Sequence, residues 1–131
     1  MHIGQVADSA GVSAKRIRYY EQIGLIDAAK RSDAGYRVYE ERDLHTVHFI
    51  RRARQLGFSI PQIATLLALW RDRQRSSADV KKVALAHVEE LRRKIEELQS
   101  MVDTLEDLAA RCDADSRPDC PILAELQGVG S

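Results

Sequence analysis

Ile3-Gly4-Gln5-Val6-Ala7-Asp8-Ser9-Ala10-Gly11-Val12-Ser13-Ala14-Lys15-Arg16-Ile17-Arg18-Tyr19-Tyr20-Glu21 opens the chain with two helical signals and a turn. Ile3, Val6, Ala7 and Ala10 fall at i, i+3, i+4 and i+7, the apolar stripe of a short helix. Gly11 stops that helix, because glycine accepts the left-handed conformation a tight helix end requires. Ser13 then offers a side-chain oxygen to the first N–H groups of a second helix, expected to run to about Ile23 before Gly24. Two short helices joined by a turn of about three or four residues with a glycine have helix-turn-helix spacing. On the second helix Ile17 and Tyr20 are expected to point inward, while Lys15, Arg18 and Tyr19 share the outer face.

Working outward, Leu25-Ile26-Asp27 and Tyr36-Arg37-Val38-Tyr39 are β-prone and flank the turn-rich Ser32-Asp33-Ala34-Gly35. That arrangement predicts a small β-hairpin, a wing beside the two helices. A third helix is expected from about Glu41 to Leu56, ending at Gly57. A fourth starts near Ser59, tolerates Pro61 in its first turn and runs to about Arg71. Its Ile63, Leu66, Leu67 and Trp70 repeat at helical spacing and are expected to face the core.

From Ser76 to Ala110 there is neither Gly nor Pro, enough for a rod of about 50 Å. Ala84, Val88, Leu91, Ile95, Leu98, Val102, Leu105 and Ala109 are spaced 4, 3, 4, 3, 4, 3 and 4 apart, an a/d heptad with charged flanks. Four short helices cannot cover so long a rod. The seam therefore predicts pairing with a second copy, a homodimer, with a mainly α fold in three parts. These are a winged helix-turn-helix over residues 1–75, a dimerisation helix over 76–110, and a loop with a short C-terminal helix or tail over 111–131.

The chain has 131 residues, 20 Lys+Arg and 20 Asp+Glu, a total that taken alone argues against a nucleic-acid partner. The total hides a split: residues 1–75 hold 13 basic and 8 acidic residues (+5), and residues 76–131 hold 7 and 12 (−5). Such asymmetry predicts one basic interaction surface and an acidic half with another task. No apolar run approaches a membrane span, and the start lacks the basic and apolar regions of a signal peptide. A cytoplasmic protein is the default expectation. No phosphate loop, nucleophile motif or His/Glu metal pair points to an enzyme.

In the basic half, arginine suits guanine edges or phosphate, tyrosine suits phosphate and sugar, and lysine adds salt-sensitive affinity. All four tyrosines lie within the first 39 residues, Tyr36-Arg37 sits on the expected wing, and Arg51, Arg52 and Arg54 form a cluster on the third helix. Together they predict binding to double-stranded DNA.

Cys112 and Cys120 are the only cysteines, with seven residues between them in Arg111-Cys112-Asp113-Ala114-Asp115-Ser116-Arg117-Pro118-Asp119-Cys120-Pro121. The prolines exclude a continued helix, Ile122 to Leu126 predicts one or two helical turns, and residues past Gly128 are expected to fray. A structural disulfide is disfavoured in a reducing cytosol. Two thiolates carry charge −2, and a soft monovalent ion accepts two of them in a linear arrangement. Structural zinc usually takes four ligands. The histidines, His2, His45, His48 and His87, lie elsewhere in the sequence, so zinc would have to draw on Asp113, Asp115 and Asp119. Soft thiolates favour Cu(I), with Ag(I) and Au(I) as alternatives. Thiol–disulfide switching stays open as a different regulatory class, whereas an iron–sulfur cluster would need four cysteines.

Several blocks carry a resemblance. Ile3-Gly4-Gln5-Val6-Ala7, Gly11-Val12-Ser13, Ile17-Arg18-Tyr19-Tyr20-Glu21, Gly24-Leu25-Ile26, Gly35-Tyr36-Arg37-Val38-Tyr39 and Leu56-Gly57-Phe58 resemble, in order and spacing, the MerR family of transcriptional regulators. The resemblance implies an antiparallel coiled coil between protomers. It also implies a pseudo-palindromic operator in a promoter whose spacer is too long for RNA polymerase, and activation by distorting that spacer when the effector binds. Matched residue by residue, it implies DNA contacts from Lys15, Arg18, Tyr19, Tyr36, Arg37 and Arg54. Cys-x7-Cys followed by Pro-Ile-Leu looks like the copper-efflux (CueR-like) branch. The position where divalent-ion sensors of the family carry a third cysteine is Ser77 here, as in the monovalent sensors, and its hydroxyl would hydrogen-bond the loop. This implies activation of copper-efflux or detoxification genes on binding Cu(I), with a thiol-redox regulator or a divalent-metal sensor as the alternatives. Some copper regulators continue into a Cys/His-rich tail, whereas this chain ends Gln127-Gly128-Val129-Gly130-Ser131, so no metal ligand is expected from a tail. About twenty residues after Ala110 are too few for the ligand domain of the drug-sensing relatives.

Overall fold

The computed structural model spans residues 1–131 and describes all but 113, 114, 116, 117 and 129–131. The elements are α1 (Ile3–Ala10), α2 (Ala14–Gln22), β1 (Lys30–Arg31), β2 (Arg37–Val38), α3 (Glu41–Gln55), α4 (Ile60–Arg71), α5 (Ser77–Ala110) and α6 (Pro121–Leu126). The chain divides into two compact units, Met1–Val80 and Lys81–Ser131. Among the described residues no helix is long and apolar enough to cross a membrane.

In the first unit the helix ends follow local chemistry. Gly11 has φ +67° and returns its N–H to the Ala7 carbonyl at 2.9 Å, closing α1. The Ser13 hydroxyl accepts the Arg16 N–H at 3.1 Å and starts α2. Ser59 does the same for α4: its hydroxyl accepts from Gln62 N–H, and the Gln62 side chain accepts from Ser59 N–H at 2.7 Å. Such a reciprocal cap contributes about 1 kcal/mol. Val6 and Ala10 of α1, Ile17 and Tyr20 of α2, Val47 and Ile50 of α3, and Ile63 and Leu67 of α4 are buried together with Ile26 and Tyr39. Ile17 and Tyr20 thus face inward as the periodicity predicts, and Lys15, Arg18 and Tyr19 face out.

The wing differs from the expectation in its first half. Leu25 and Ile26 are not a strand. Their N–H groups bond the Tyr20 carbonyl at 2.9 and 3.3 Å, and both side chains are buried. The C-terminus of α2 needs partners for its last carbonyls and an apolar residue to cover its end, and these two residues supply both. The first strand is instead Lys30–Arg31, paired antiparallel with Arg37–Val38 in the register Lys30↔Val38, Arg31↔Arg37. The turn is held by Ser32 N–H to the Tyr36 carbonyl and Gly35 N–H to the Ser32 carbonyl, both 2.8 Å.

Trp70 is the second departure. It is 43% exposed and stacks on Phe49, with centroids 4.6 Å apart and planes 10° from parallel. It sits in the last turn of α4, where Phe49 of α3 covers one ring face and the groove lined by Leu44, His45, His48 and Phe49 stays open. Helical phase sets it on the same stripe as Ile63 and Leu67, but the packed layer ends before it.

α5 is a 34-residue helix that starts one residue after the expected Ser76 and belongs to the second unit from Lys81 onward. Among the described residues most of its seam is exposed: Ile95 is 64% exposed, Leu98 59% and Leu105 54%, Leu91 is half-buried, and the buried residues of α5 are His87 and Leu108. The expected fraying past Gly128 falls at residues 129–131, outside the described residues.

Candidate nucleic-acid interface and thiol site

α2 presents its outer face between two open clefts. One is lined by Ser13, Lys15, Arg16, Tyr19, Tyr20, Arg54 and Ile60, so three of the six predicted contact residues meet there. The other is lined by His2, Ile3, Arg18, Arg31, Gly35, Tyr36 and Arg37, which gathers the remaining three. Tyr36 is 67% exposed at the wing tip. Arg54 Nη1 donates to the Phe58 carbonyl at 3.2 Å, which holds its guanidinium at the turn before α4.

The arginine cluster expected on α3 is not one patch. Arg51 Nη1 donates to the Ala10 carbonyl at 3.0 Å, binding the C-terminus of α1 to α3, and Arg52 donates to Gln55 at 3.2 Å. A cation at a helix C-terminus satisfies an orphan carbonyl and the helix dipole together. Arg51 is therefore a brace of the helix-turn-helix, while Arg54 joins the outer cleft.

Two cations in these clefts went unnoticed in the sequence. Arg16 lies in the first turn of α2, the part of such a helix that approaches base edges, and that rule would have found it. Arg31 emerges only from the true register, which sets it opposite Arg37. Local spacing does not single out Glu21 either. Its Oε1 accepts the Ala29 N–H at 2.6 Å, its Oε2 accepts the Tyr39 hydroxyl at 3.0 Å, and Arg37 Nη1 lies 3.8 Å away. Burial, then the Glu21 hydrogen bond, pushes the Tyr39 phenol above its ordinary pKa.

Cys112 follows α5 and Cys120 is the N-cap of α6; both are free thiols and half-buried. The Leu123 N–H, aided by that of Ile122 and by Cys112, pulls the Cys120 thiol below its ordinary pKa against the opposing effect of burial. The first turn of a helix points free N–H groups at its cap, so a negative sulfur is favoured there. Asp115 and Asp119 are exposed, and Asp113 lies outside the described residues. Among the described residues no group of three or more His, Cys, Asp or Glu converges. Ser77 is the exposed first residue of α5 and belongs to the Met1–Val80 unit.

An exposed helix flanked by two clefts of cations and tyrosines, with a wing beside it, defines a winged helix-turn-helix DNA-binding protein. Residues 1–70 match the family described as MerR HTH family regulatory protein, and residues 44–108 that described as MerR, DNA binding. The chain belongs to the MerR family of transcriptional regulators. It is 58% identical over 126 residues to heavy metal-dependent transcription regulator 2 of Rhizobium meliloti, covering 96% of this chain and 86% of that protein. It is 44% identical to the HTH-type transcriptional regulator CueR of Salmonella typhimurium, covering 98% of this chain and 93% of that one. Among solved structures, PbrR691 of Ralstonia metallidurans in complex with lead(II) matches with a TM-score of 0.83 at 32% identity, covering 96% of this chain and 98% of that one.

Proposed function

We propose that this chain is a cytoplasmic, homodimeric regulator that activates copper-efflux or detoxification genes when Cu(I) binds Cys112 and Cys120, with Ag(I) and Au(I) as alternatives. The observation that carries the reading is the pair of free, half-buried cysteines, one just after α5 and one at the start of α6, a donor set of two thiols with no third ligand beside it among the described residues. Two soft anionic donors suit a soft monovalent ion, which would be held by Cys112 and Cys120 and offset one of their two negative charges. The relatives' names support a heavy metal as effector. The lead(II) complex of PbrR691 favours a divalent ion as the second reading, and Ser77, which brings no thiolate, argues against it.

Lys15, Arg18, Tyr19, Tyr36, Arg37 and Arg54 then hold promoter DNA, with the phosphate contacts setting position and α2 meeting the bases. The seam Ala84, Val88, Leu91, Ile95, Leu98, Val102 and Leu105 buries itself against a second copy, which places two DNA-binding heads on a pseudo-palindromic operator. Bending and untwisting such a site costs a few kcal/mol, and a change in dimer geometry on effector binding supplies it, presenting the promoter to RNA polymerase. Competition for Cu(I) against a strong chelator tests the site. The wild type should hold the ion and the Cys112→Ser/Cys120→Ser double variant should not. Equal retention by the two would refute the assignment.

A further inference from the structure

The wing has only two residue pairs, Lys30↔Val38 and Arg31↔Arg37, too short a ladder to hold its own position. Its exit is tied to the start of the chain by two backbone hydrogen bonds between Tyr39 and Met1, and its side-chain tie to α2 is a carboxylate. Glu21 stands in the last turn of α2 with its side chain only 10% exposed. Its three polar partners all lie beyond the helix. Ala29 leads into β1, Arg37 lies in β2, and Tyr39 follows β2 and is buried. One side chain therefore grips both the entry and the exit of the hairpin. A carboxylate so nearly buried is tolerated only when hydrogen bonds and a cation replace its water, and this one has all of them. At 3.8 Å from Arg37 it makes an ion pair rather than a hydrogen bond, so it orients the guanidinium and leaves donors for another anion.

We infer that Glu21 is a positioning residue for DNA binding. It sets the wing against α2 so that Arg37 and Tyr36 meet phosphate while Lys15, Arg18 and Tyr19 occupy the groove. The inference rests on the reading that Tyr36 and Arg37 touch DNA. Without Glu21 the hairpin keeps its turn, built from Ser32, Gly35 and Tyr36, but loses its tie to the helix.

The test uses the full chain and a fluorescein-labelled duplex selected by the wild type from a random-sequence pool. Binding is followed by anisotropy between about 50 and 200 mM salt, where each lost phosphate contact lowers the log–log salt slope by about one. Concentrations are corrected for active fraction by stoichiometric titration, so partial unfolding does not pass for weak binding. Glu21→Gln should lower the slope by about one and weaken binding by about tenfold, and adding Arg37→Ala to it should lower the slope no further. Tyr39→Phe, which removes one partner and leaves the carboxylate, should move the slope in the same direction by less, and it replaces Glu21→Gln if that variant does not fold. Wild-type slopes in Glu21→Gln and Tyr39→Phe, even with lowered melting temperatures, would make Glu21 a support of folding alone and overturn the inference. Tyr36→Phe/Arg37→Ala separates the underlying reading: a wild-type slope there means the wing does not touch phosphate, whatever Glu21 does.

Discussion

Gly11 meets two constraints at one position. Its φ of +67° is a conformation L side chains rarely adopt, and an added Cβ would stand 2.6 Å from Arg51 Nη1, the atom that reaches the Ala10 carbonyl. Gly24 has φ +79° with nothing near its absent Cβ. Gly11→Ala should therefore cost about 2 kcal/mol or more and Gly24→Ala about 1, measured by urea unfolding. Equal losses would mean that Arg51 moves aside without cost. The need for a left-handed residue at Gly11 was legible from the helix it ends. The role of Arg51 was not, because a run of arginines looks alike until the fold decides which one faces a carbonyl. The same holds for Glu21, whose partners lie 8 to 18 residues away.

Elements show a sharper division. α1, α2, α3 and α4 begin and end within a residue or two of where Ser13, Ser59, Gly11 and Gly57 put them, because caps act over a single turn. The first half of the hairpin was misplaced, since Leu25-Ile26 has the composition of a strand and the task of a helix cap. α5 matches its heptad in extent, and its exposed Leu98 and Leu105 leave an apolar face that water would not tolerate alone. Leu98→Asp, or Leu91→Asp, should give a monomer by sedimentation with poor operator affinity. An unchanged mass would reject the coiled-coil pairing.

Across the whole molecule the zero net charge is the sum of +5 over residues 1–75 and −5 over residues 76–131. The basic half carries the clefts proposed to meet phosphate, and the acidic half carries the thiol pair proposed to take up a cation. Two free thiols suit a disulfide as well as an ion. Transcription in vitro, anaerobic and with reductant present, separates these signals: a response to Cu(I) under those conditions is expected, and silence there with a response to oxidant would assign the switch to disulfide formation. By itself the sequence determined the helices, the apolar seam, the thiol spacing and the outward face of α2, since each is encoded by neighbours within a few turns. Only the tertiary structure decided that Arg54 joins Lys15 and Tyr19 in one cleft, that Arg51 braces α1, that Trp70 lies past the edge of the core, and that Glu21 holds the wing. Those outcomes depend on which distant surfaces pack together, and local periodicity carries no record of that.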